Sequence, residues 1–286
     1  MELYVSSGAF GRSDLREMIA EAARWGVRKI ELTAGMRRES DTLSLLQHTT
    51  EMEFLIHNYF PAPSDPFVLN LASSEKETLA RSLEHCSDAI RMSSALGAPF
   101  FSVHAGFAAV VQPEHLGRSI PAECMTDRNE ALSIFERSIR TLIPIAESEK
   151  VRLCIENNVV SPANLVDGAN PMLLMATSQE LVDFVKTIDS PWVGLLTDVA
   201  HVKVTCRSLN LDPGQFLTDV SPYTLMLHLS DNDGMIDSNE PFDESAWFVS
   251  QLRKFDCDLA VIEAYGLTPD ALATCVSAVR QRNGED

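Results

Sequence analysis

The chain has 286 residues, of which 45% are hydrophobic, enough to form one large core or two smaller ones. Its formal net charge of -18 opposes binding to the phosphates of nucleic acid. No apolar run reaches the ~20 residues of a membrane helix, and the N-terminus lacks the pattern of a secretory signal. Six scattered cysteines without a C-x-x-C pair favour reduced thiols. We therefore expect a soluble cytoplasmic protein that acts on a small molecule and binds neither nucleic acid nor a membrane.

Short β-rich apolar runs alternate with longer helical patterns along the chain. Strands are predicted at residues 3–7, 28–33, 53–60, 99–106, 151–158, 192–198, 224–233 and 259–266. Helical patterns follow them at 13–25, 40–50, 75–96, 127–149, from Ser178 onward, in short pieces after 198, at 243–254 and at 268–281. Parallel strands need helical crossovers, so this alternation indicates a parallel sheet. Eight such units, with no Gly-rich phosphate loop after the first strand, predict an α/β fold. We expect one closed (β/α)8 TIM barrel over residues 1–286, with its active site at the C-terminal rim.

Side chains able to bind metal or transfer protons stand at the ends of six consecutive predicted strands: His57, His104, Glu156, Asp198 with His201 three residues later, His228 and Glu263. In a closed barrel these ends converge on one rim. One such residue alone is usually structural, and Asp198 would serve equally as a helix cap. Together they would repel one another unless a divalent cation offset their charge, and imidazole plus carboxylate is a common ligand set for such ions. The remaining histidines, His48, His85 and His115, are expected at the surface.

The order of these motifs resembles the xylose isomerase-like TIM barrels over nearly the whole chain. The resemblance rests on His57, "SVHAG" (102–106), "CIENN" (154–158), "DVAH" (198–201), "HLSDND" (228–233) and "VIEAY" (261–265). That superfamily includes sugar isomerases and epimerases, inosose dehydratases and DNA-repair enzymes of the endonuclease IV type. The resemblance implies that one divalent ion is held by Glu156, Asp198, His228 and Glu263. It also implies that the two glutamates form an acid–base pair flanking a sugar. Three carboxylates and one imidazole favour Mn²⁺ or Mg²⁺, with Zn²⁺ or Co²⁺ as alternatives.

The sequence departs from two branches of this superfamily. The DNA-repair branch uses additional zinc ligands at the positions of His57, His104 and His201; here these either hold a second ion or bond substrate hydroxyls. That branch also has an Asp-x-His pair after the seventh strand, whereas this chain has Asp237 followed by Asn239. The ketose 3-epimerase branch has an arginine where Gly234 stands. A trinuclear site and a free ketohexose substrate are therefore both disfavoured.

Several residues near these motifs allow two interpretations. Asn157 and Asn158 bond substrate hydroxyls or shape a loop, and Lys203 reaches an anionic substrate group or remains solvated. Glu31, at the end of the second strand, points into the barrel mouth or is structural. The long connections 107–126 and 159–177 are expected to cover the pocket.

The sequence favours a divalent-metal-dependent isomerase or epimerase that acts on a sugar or sugar phosphate by removing a proton next to a carbonyl. A sugar dehydratase using the same site is one alternative. An endonuclease IV-like phosphodiester hydrolase and a non-catalytic sugar-binding barrel are the others. The sequence leaves the sugar and the oligomeric state open, with a homo-oligomer among the options.

Overall fold

The computed structural model describes residues 1–37, 41–113 and 120–281, in which eight parallel strands close into a barrel in chain order. The strands are β1 Glu2–Ser6, β2 Lys29–Leu32, β3 Glu53–His57, β4 Phe100–His104, β5 Arg152–Glu156, β6 Val193–Asp198, β7 Thr224–Leu229 and β8 Leu259–Ile262. The helices are α1 Leu15–Arg24, α2 Thr42–His48, α3 Lys76–Ala95, α4 Arg128–Glu149, α5 Ser178–Ile188, α6 Val199–Leu209, α7 Pro213–Val220 and α8 Pro269–Gln281. The predicted (β/α)8 barrel is confirmed.

The predicted helix over 243–254 is wrong, because this segment forms only a 3₁₀ helix over Val249–Lys254. The Asp243 carboxylate accepts hydrogen bonds from the backbone N and the hydroxyl of Ser245, at 2.8 and 2.6 Å. Such a side-chain turn competes with helical hydrogen bonds at the point where the helix would start. Phe248 then turns inward onto Phe242, with ring centroids 5.0 Å apart.

Hydrophobic side chains pack in two layers, as the alternation of strands and helices predicts. Inside the barrel, Leu55, Phe100, Leu196 and Met226 belong to one buried cluster, and a larger cluster fills the space between strands and helices. The N-terminal end of the barrel carries a polar group in which Glu53 accepts from the Tyr4 hydroxyl at 3.0 Å. The interior is therefore packed, and the polar strand ends lie at the opposite, C-terminal rim.

Strand register sets the height of each polar residue at that rim. His104 pairs with Glu156, and Asp198 pairs with His228, so each pair stands side by side on neighbouring strands. Glu31 pairs with Leu55, which is two residues before His57, and therefore lies below the rim inside the barrel.

The cysteines and the helices can be compared with what the composition predicted. Among the described residues no disulfide joins the six cysteines, and four of them are buried. Within the ranges the structure describes, none of the helices combines the length and apolarity needed to cross a bilayer.

Candidate active site

Asp198 joins β6 to α6, and its two carboxylate oxygens have different surroundings. Its Oδ1 accepts the His201 backbone N–H at 2.7 Å and so caps α6. Its Oδ2 is buried without a hydrogen-bond partner among the described residues. The Asn157 side chain holds the Asp198 peptide from both sides, accepting its N–H at 2.8 Å and donating to its carbonyl at 3.1 Å. The D-x-x-H spacing thus combines a helix cap with a free carboxylate oxygen facing the barrel mouth.

The structure brings together the four residues predicted to hold one ion. Glu156, Asp198, His228 and Glu263 are buried, and each offers a ligand atom within 4.8 Å of the other three. His228 Nδ1 lies 2.7 Å from Glu263 Oε2, 3.4 Å from Glu156 Oε1 and 3.9 Å from Asp198 Oδ2.

Several of these buried ligand atoms have no hydrogen-bond partner among the described residues: both Glu156 oxygens, Asp198 Oδ2 and His228 Nδ1. Buried carboxylate and imidazole atoms left unpartnered are costly, and a divalent cation would satisfy all of them at once. The donor set, three carboxylates and one imidazole, suits a hard divalent ion. The residues therefore fit a metal ion.

Two histidines approach Glu156 from the side of β3 and β4. Glu156 Oε2 lies 3.5 Å from His57 Nε2 and 3.2 Å from His104 Nδ1. The two rings meet edge to face, with centroids 5.3 Å apart. The three residues have the geometry to hold a cation that shares Glu156 with the first group.

His201 belongs to the same mouth but is held by protein partners on both ring nitrogens. Its Nδ1 lies 2.8 Å from the Asn157 carbonyl, and its Nε2 lies 3.1 Å from Asp237 Oδ2. Asn239 donates to the Glu263 carbonyl at 3.0 Å, and its own carbonyl accepts the Tyr265 N–H at 2.9 Å. Where the DNA-repair branch has a histidine, this chain therefore has a residue that supports the backbone beneath Glu263.

The two glutamates are held in the ionised form by neighbouring imidazoles. Burial alone would raise the pKa of Glu156, but His104, His57 and His228 outweigh it and hold that pKa well below the usual value. Burial likewise opposes ionisation of Glu263, but His228 lowers its pKa to about 2. Both carboxylates are therefore available as proton acceptors at neutral pH.

Asp198 and His228 are shifted in the opposite direction. Burial raises the pKa of Asp198 well above its usual value, against the opposing charge of His201, and nearby carboxylates such as Asp237 add to the shift. For His228, burial opposes the charged form, but Glu263 and Glu31 outweigh it and raise the pKa well above its usual value. These protons occupy atoms that a metal ion would need.

Three contacts in this site were left open or missed by sequence reasoning. Glu31 does point into the barrel, with Oε2 3.0 Å from His228 Nε2. Ser102, on β4, lies 3.0 Å from His57 Nδ1 through its hydroxyl. Tyr265 donates its hydroxyl to Glu263 Oε1 at 3.1 Å. The "VIEAY" motif placed Tyr265 near Glu263, but a contact two residues along the chain cannot be read from sequence.

Two predicted substrate contacts are engaged elsewhere in the structure. The Lys203 amine lies 2.6 Å from Asp231 Oδ1 and also donates to the Asn232 carbonyl. The Asn158 amide donates to the carbonyls of Ala105 and Leu174, at 2.9 and 2.7 Å. Lys203 therefore anchors the loop after β7, and the Asn158 side chain links the connections that follow β4 and β5.

The surface histidines and the long connections can also be located. His48 is exposed, His85 is half-buried with its ring 5.3 Å from Tyr59, and His115 lies outside the described residues. The connections 107–126 and 159–177 meet each other through an antiparallel bridge between Phe107 and Leu173. Their predicted role as a cover for the pocket stays a prediction, since residues 114–119 are outside the described part.

Comparison with known proteins agrees with this architecture. The family model described as "xylose isomerase-like TIM barrel" matches residues 19–273. Among solved structures, a D-tagatose 3-epimerase-like protein superimposes with a TM-score of 0.76 at 19% identity, covering 100% of this chain and 99% of that one.

A Thermus thermophilus protein soaked with ZnCl2 gives a TM-score of 0.66 at 19% identity, covering 100% of this chain and 99% of that one. The 3-keto-D-glucoside 4-epimerase of E. coli gives 0.66 at 12% identity, covering 99% of both chains. No curated protein sequence matches significantly. The structural likenesses show the fold, and the match of the family model over most of the sequence shows that the chain belongs to the xylose isomerase-like TIM barrel family.

Proposed function

We propose that this protein is a divalent-metal-dependent isomerase or epimerase that acts on a sugar or sugar phosphate by proton transfer next to a carbonyl. The observation that carries the proposal is the buried group Glu156, Asp198, His228 and Glu263, whose ligand atoms converge within 4.8 Å. Several of these atoms have no hydrogen-bond partner among the described residues, as a metal centre requires. The names of similar structures, D-tagatose 3-epimerase-like protein and 3-keto-D-glucoside 4-epimerase, support a sugar as the substrate class.

Glu156, Asp198, His228 and Glu263 would hold the ion. A divalent ion bound there polarises a substrate carbonyl and the adjacent hydroxyl, which makes the neighbouring C–H more acidic. Mn²⁺ or Mg²⁺ fits the hard donor set best, and Zn²⁺ or Co²⁺ remains an alternative.

Glu156 and Glu263 are proposed as the acid–base pair. Both are ionised, and each has one oxygen near His228 Nδ1 and a second oxygen directed elsewhere. In Glu263 this second oxygen accepts from the Tyr265 hydroxyl, and in Glu156 it faces His57 and His104. In epimerisation, one carboxylate would take up the substrate proton, and the other, after receiving a proton from solvent, would deliver it to the opposite face of the same carbon. The first glutamate would then release its proton to solvent. If the same carboxylate instead delivers the proton to the adjacent carbon, the reaction is an isomerisation.

A phosphodiester hydrolase is the second candidate, favoured by the geometry of His57, His104 and Glu156, which suits an additional cation. Two observations oppose it. Asn239 supports the Glu263 backbone where a third-ion ligand would be needed. The net charge of -18 disfavours approach to a DNA backbone.

A screen of sugars and sugar phosphates in deuterated water, with Mn²⁺ or Mg²⁺ added, tests the proposal. Solvent deuterium in a C–H bond of an epimeric or isomeric product is the expected result. Deuterium exchange with loss of water would identify a dehydratase. Cleavage of a phosphodiester included in the screen, without any exchange, would favour the hydrolase, and sugar binding without turnover would favour a binding barrel. The Glu53→Gln variant, at the other end of the barrel, is the matched control for loss of a glutamate charge.

A further inference from the structure

We infer that Glu31 is a positioning residue that fixes which ring nitrogen carries the hydrogen in both His228 and His57. It does so directly for His228 and through the Ser102 hydroxyl for His57. The inference rests on the proposed metal-dependent function, because its consequence is the orientation of metal-binding lone pairs.

The surroundings of Glu31 are unusual for a glutamate inside a barrel. Its side chain is 0% exposed, and burial of an isolated carboxylate costs several kcal/mol. In the part of the chain that the structure describes, the residue that forms an ion pair with Glu31 is His228, and the hydroxyl that donates to it belongs to Ser102. His228 is one of the proposed metal ligands, and Ser102 contacts His57. Glu31 is therefore oriented toward the site and not toward the barrel wall.

The contact with His228 decides the tautomer of that ring. His228 Nε2 lies 3.0 Å from Glu31 Oε2 and 3.2 Å from Oε1. An ionised carboxylate only accepts hydrogen bonds, so Nε2 carries the hydrogen. Once Nδ1 has lost its proton, its lone pair is directed toward Glu156 and Glu263, where the ion is proposed to bind. Carboxylate partners of this kind orient metal-ligating histidines and raise their basicity.

The same carboxylate acts on His57 through one intervening hydroxyl. The Ser102 hydroxyl lies 3.5 Å from Glu31 Oε1 and has a single hydrogen to donate. When Ser102 donates to Glu31, its oxygen accepts from His57 Nδ1, 3.0 Å away. His57 Nε2 is then the lone-pair nitrogen, and it faces Glu156 Oε2 at 3.5 Å.

The Glu31 carboxylate therefore places the ring hydrogen of both His228 and His57 on the nitrogen that faces away from the proposed ion. Each then presents a lone pair toward one oxygen of Glu156. This arrangement would serve one ion held through His228, and also a second cation held by His57, His104 and Glu156. Without Glu31, each neutral ring would be free to place an N–H toward the ion, and metal would have to displace that tautomer first.

The test measures metal affinity and histidine tautomers in the same variants. Glu31→Gln supplies an amide that can donate to His228 Nε2, so we expect Mn²⁺ and Zn²⁺ to bind about 10–100-fold more weakly. Nitrogen-15 spectra of histidine-labelled, Zn²⁺-loaded protein should show hydrogen on Nε2 of His228 and Nδ1 of His57 in the wild type. Ser102→Ala should disturb His57 alone, and Glu53→Gln should change neither ring.

Each outcome decides the matter. Wild-type affinity in Glu31→Gln together with an unchanged His57 tautomer would overturn the inference. So would loss of one of two bound ions with the other unaffected, because Glu31 would then be a ligand. If Glu31→Gln does not fold, the Ser102→Ala spectrum still tests the relay, and an unchanged His57 tautomer would refute it. Failure of the wild type to bind any metal would instead remove the proposed function, and the His57 signals of metal-free protein would still test the contact with Glu31 through Ser102.

Discussion

Replacement of Asp198 by asparagine should move two properties of the protein in opposite directions. Asparagine keeps the oxygen that caps α6 by accepting the His201 N–H, and Asn and Asp are nearly equivalent at helix N-caps. It replaces a carboxyl group whose Oδ2 is buried among other carboxylates without a hydrogen-bond partner, and whose pKa burial raises well above the usual value. Folding at neutral pH therefore requires Asp198 to take up a proton, a cost in free energy that asparagine does not have. The metal-free variant should therefore be at least as stable as the wild type.

Metal binding by the same variant should fall sharply. Loss of an outer partner of a metal ligand costs about 10–100-fold in affinity, so loss of a charged ligand should cost at least about 100-fold. At a metal concentration of about 100 times the wild-type Kd, binding stabilises the folded wild type by about 2.7 kcal/mol. After a 100-fold loss of affinity, the same concentration would stabilise the variant by only about 0.4 kcal/mol.

The assay is denaturant unfolding of wild type, Asp198→Asn and Asp198→Ala, each with chelator and with Mn²⁺ at about 100 times the wild-type Kd. Chains of this size often unfold through intermediates, so the midpoints are compared directly. Asp198→Ala separates the two roles, because it also loses the cap and should lose about 1 kcal/mol without metal. A destabilised metal-free Asn variant that keeps the full Mn²⁺ protection would refute the assignment of Asp198 as a ligand.

Three further predictions concern proton transfer, metal exchange and substrate class. Glu156→Gln and Glu263→Gln, saturated with Mn²⁺, should bind substrate but turn over at least about 100-fold more slowly. One of the two variants should still exchange the substrate C–H with deuterium. Full recovery of turnover by added metal would show that both glutamates act only as metal ligands. Calorimetry in buffers of different ionisation enthalpy should show proton release on metal binding at pH 7, and weaker binding as the pH falls. The raised pKa values of Asp198 and His228 mean that these groups hold protons until the ion replaces them, so binding without proton release would contradict this. Duplex DNA with an abasic site should be neither bound nor cut at physiological salt, and incision with steeply salt-dependent binding would support the hydrolase.

The barrel and its polar rim could be predicted because they depend on local signals repeated along the chain. Each apolar run ends on a polar residue, and a closed parallel sheet brings such ends together whatever the loops between them do. The D-x-x-H spacing at Asp198 and His201 combined a cap signal with two potential ligands. The helix predicted at 243–254 failed because the local turn made by Asp243 and Ser245 outweighs the hydrophobic pattern that follows it.

The residues beneath the rim could not be predicted for a different reason. Strands buried on both faces show no alternation, so the sequence does not reveal whether Glu31 or Ser102 points into the barrel or outward. Their contacts depend on strand register, which only the closed sheet defines. Lys203 shows the converse case: its position two residues after His201 indicates proximity to the site, but its partner Asp231 lies on a different loop, 28 residues away in sequence.

The electrostatics of the mouth explain why protons and metal should compete there. In the metal-free chain, burial and neighbouring carboxylates keep a proton on Asp198. Glu263 and Glu31 keep a proton on His228, because their charges outweigh the effect of burial. A divalent ion would satisfy the same oxygen and nitrogen atoms, so it must expel those protons to bind. Glu156 and Glu263, in contrast, are already ionised and can accept a substrate proton without first losing one. The four ligands therefore divide into two that yield protons to the ion and two that are ready for chemistry, and the second pair is the one we assign to acid–base transfer.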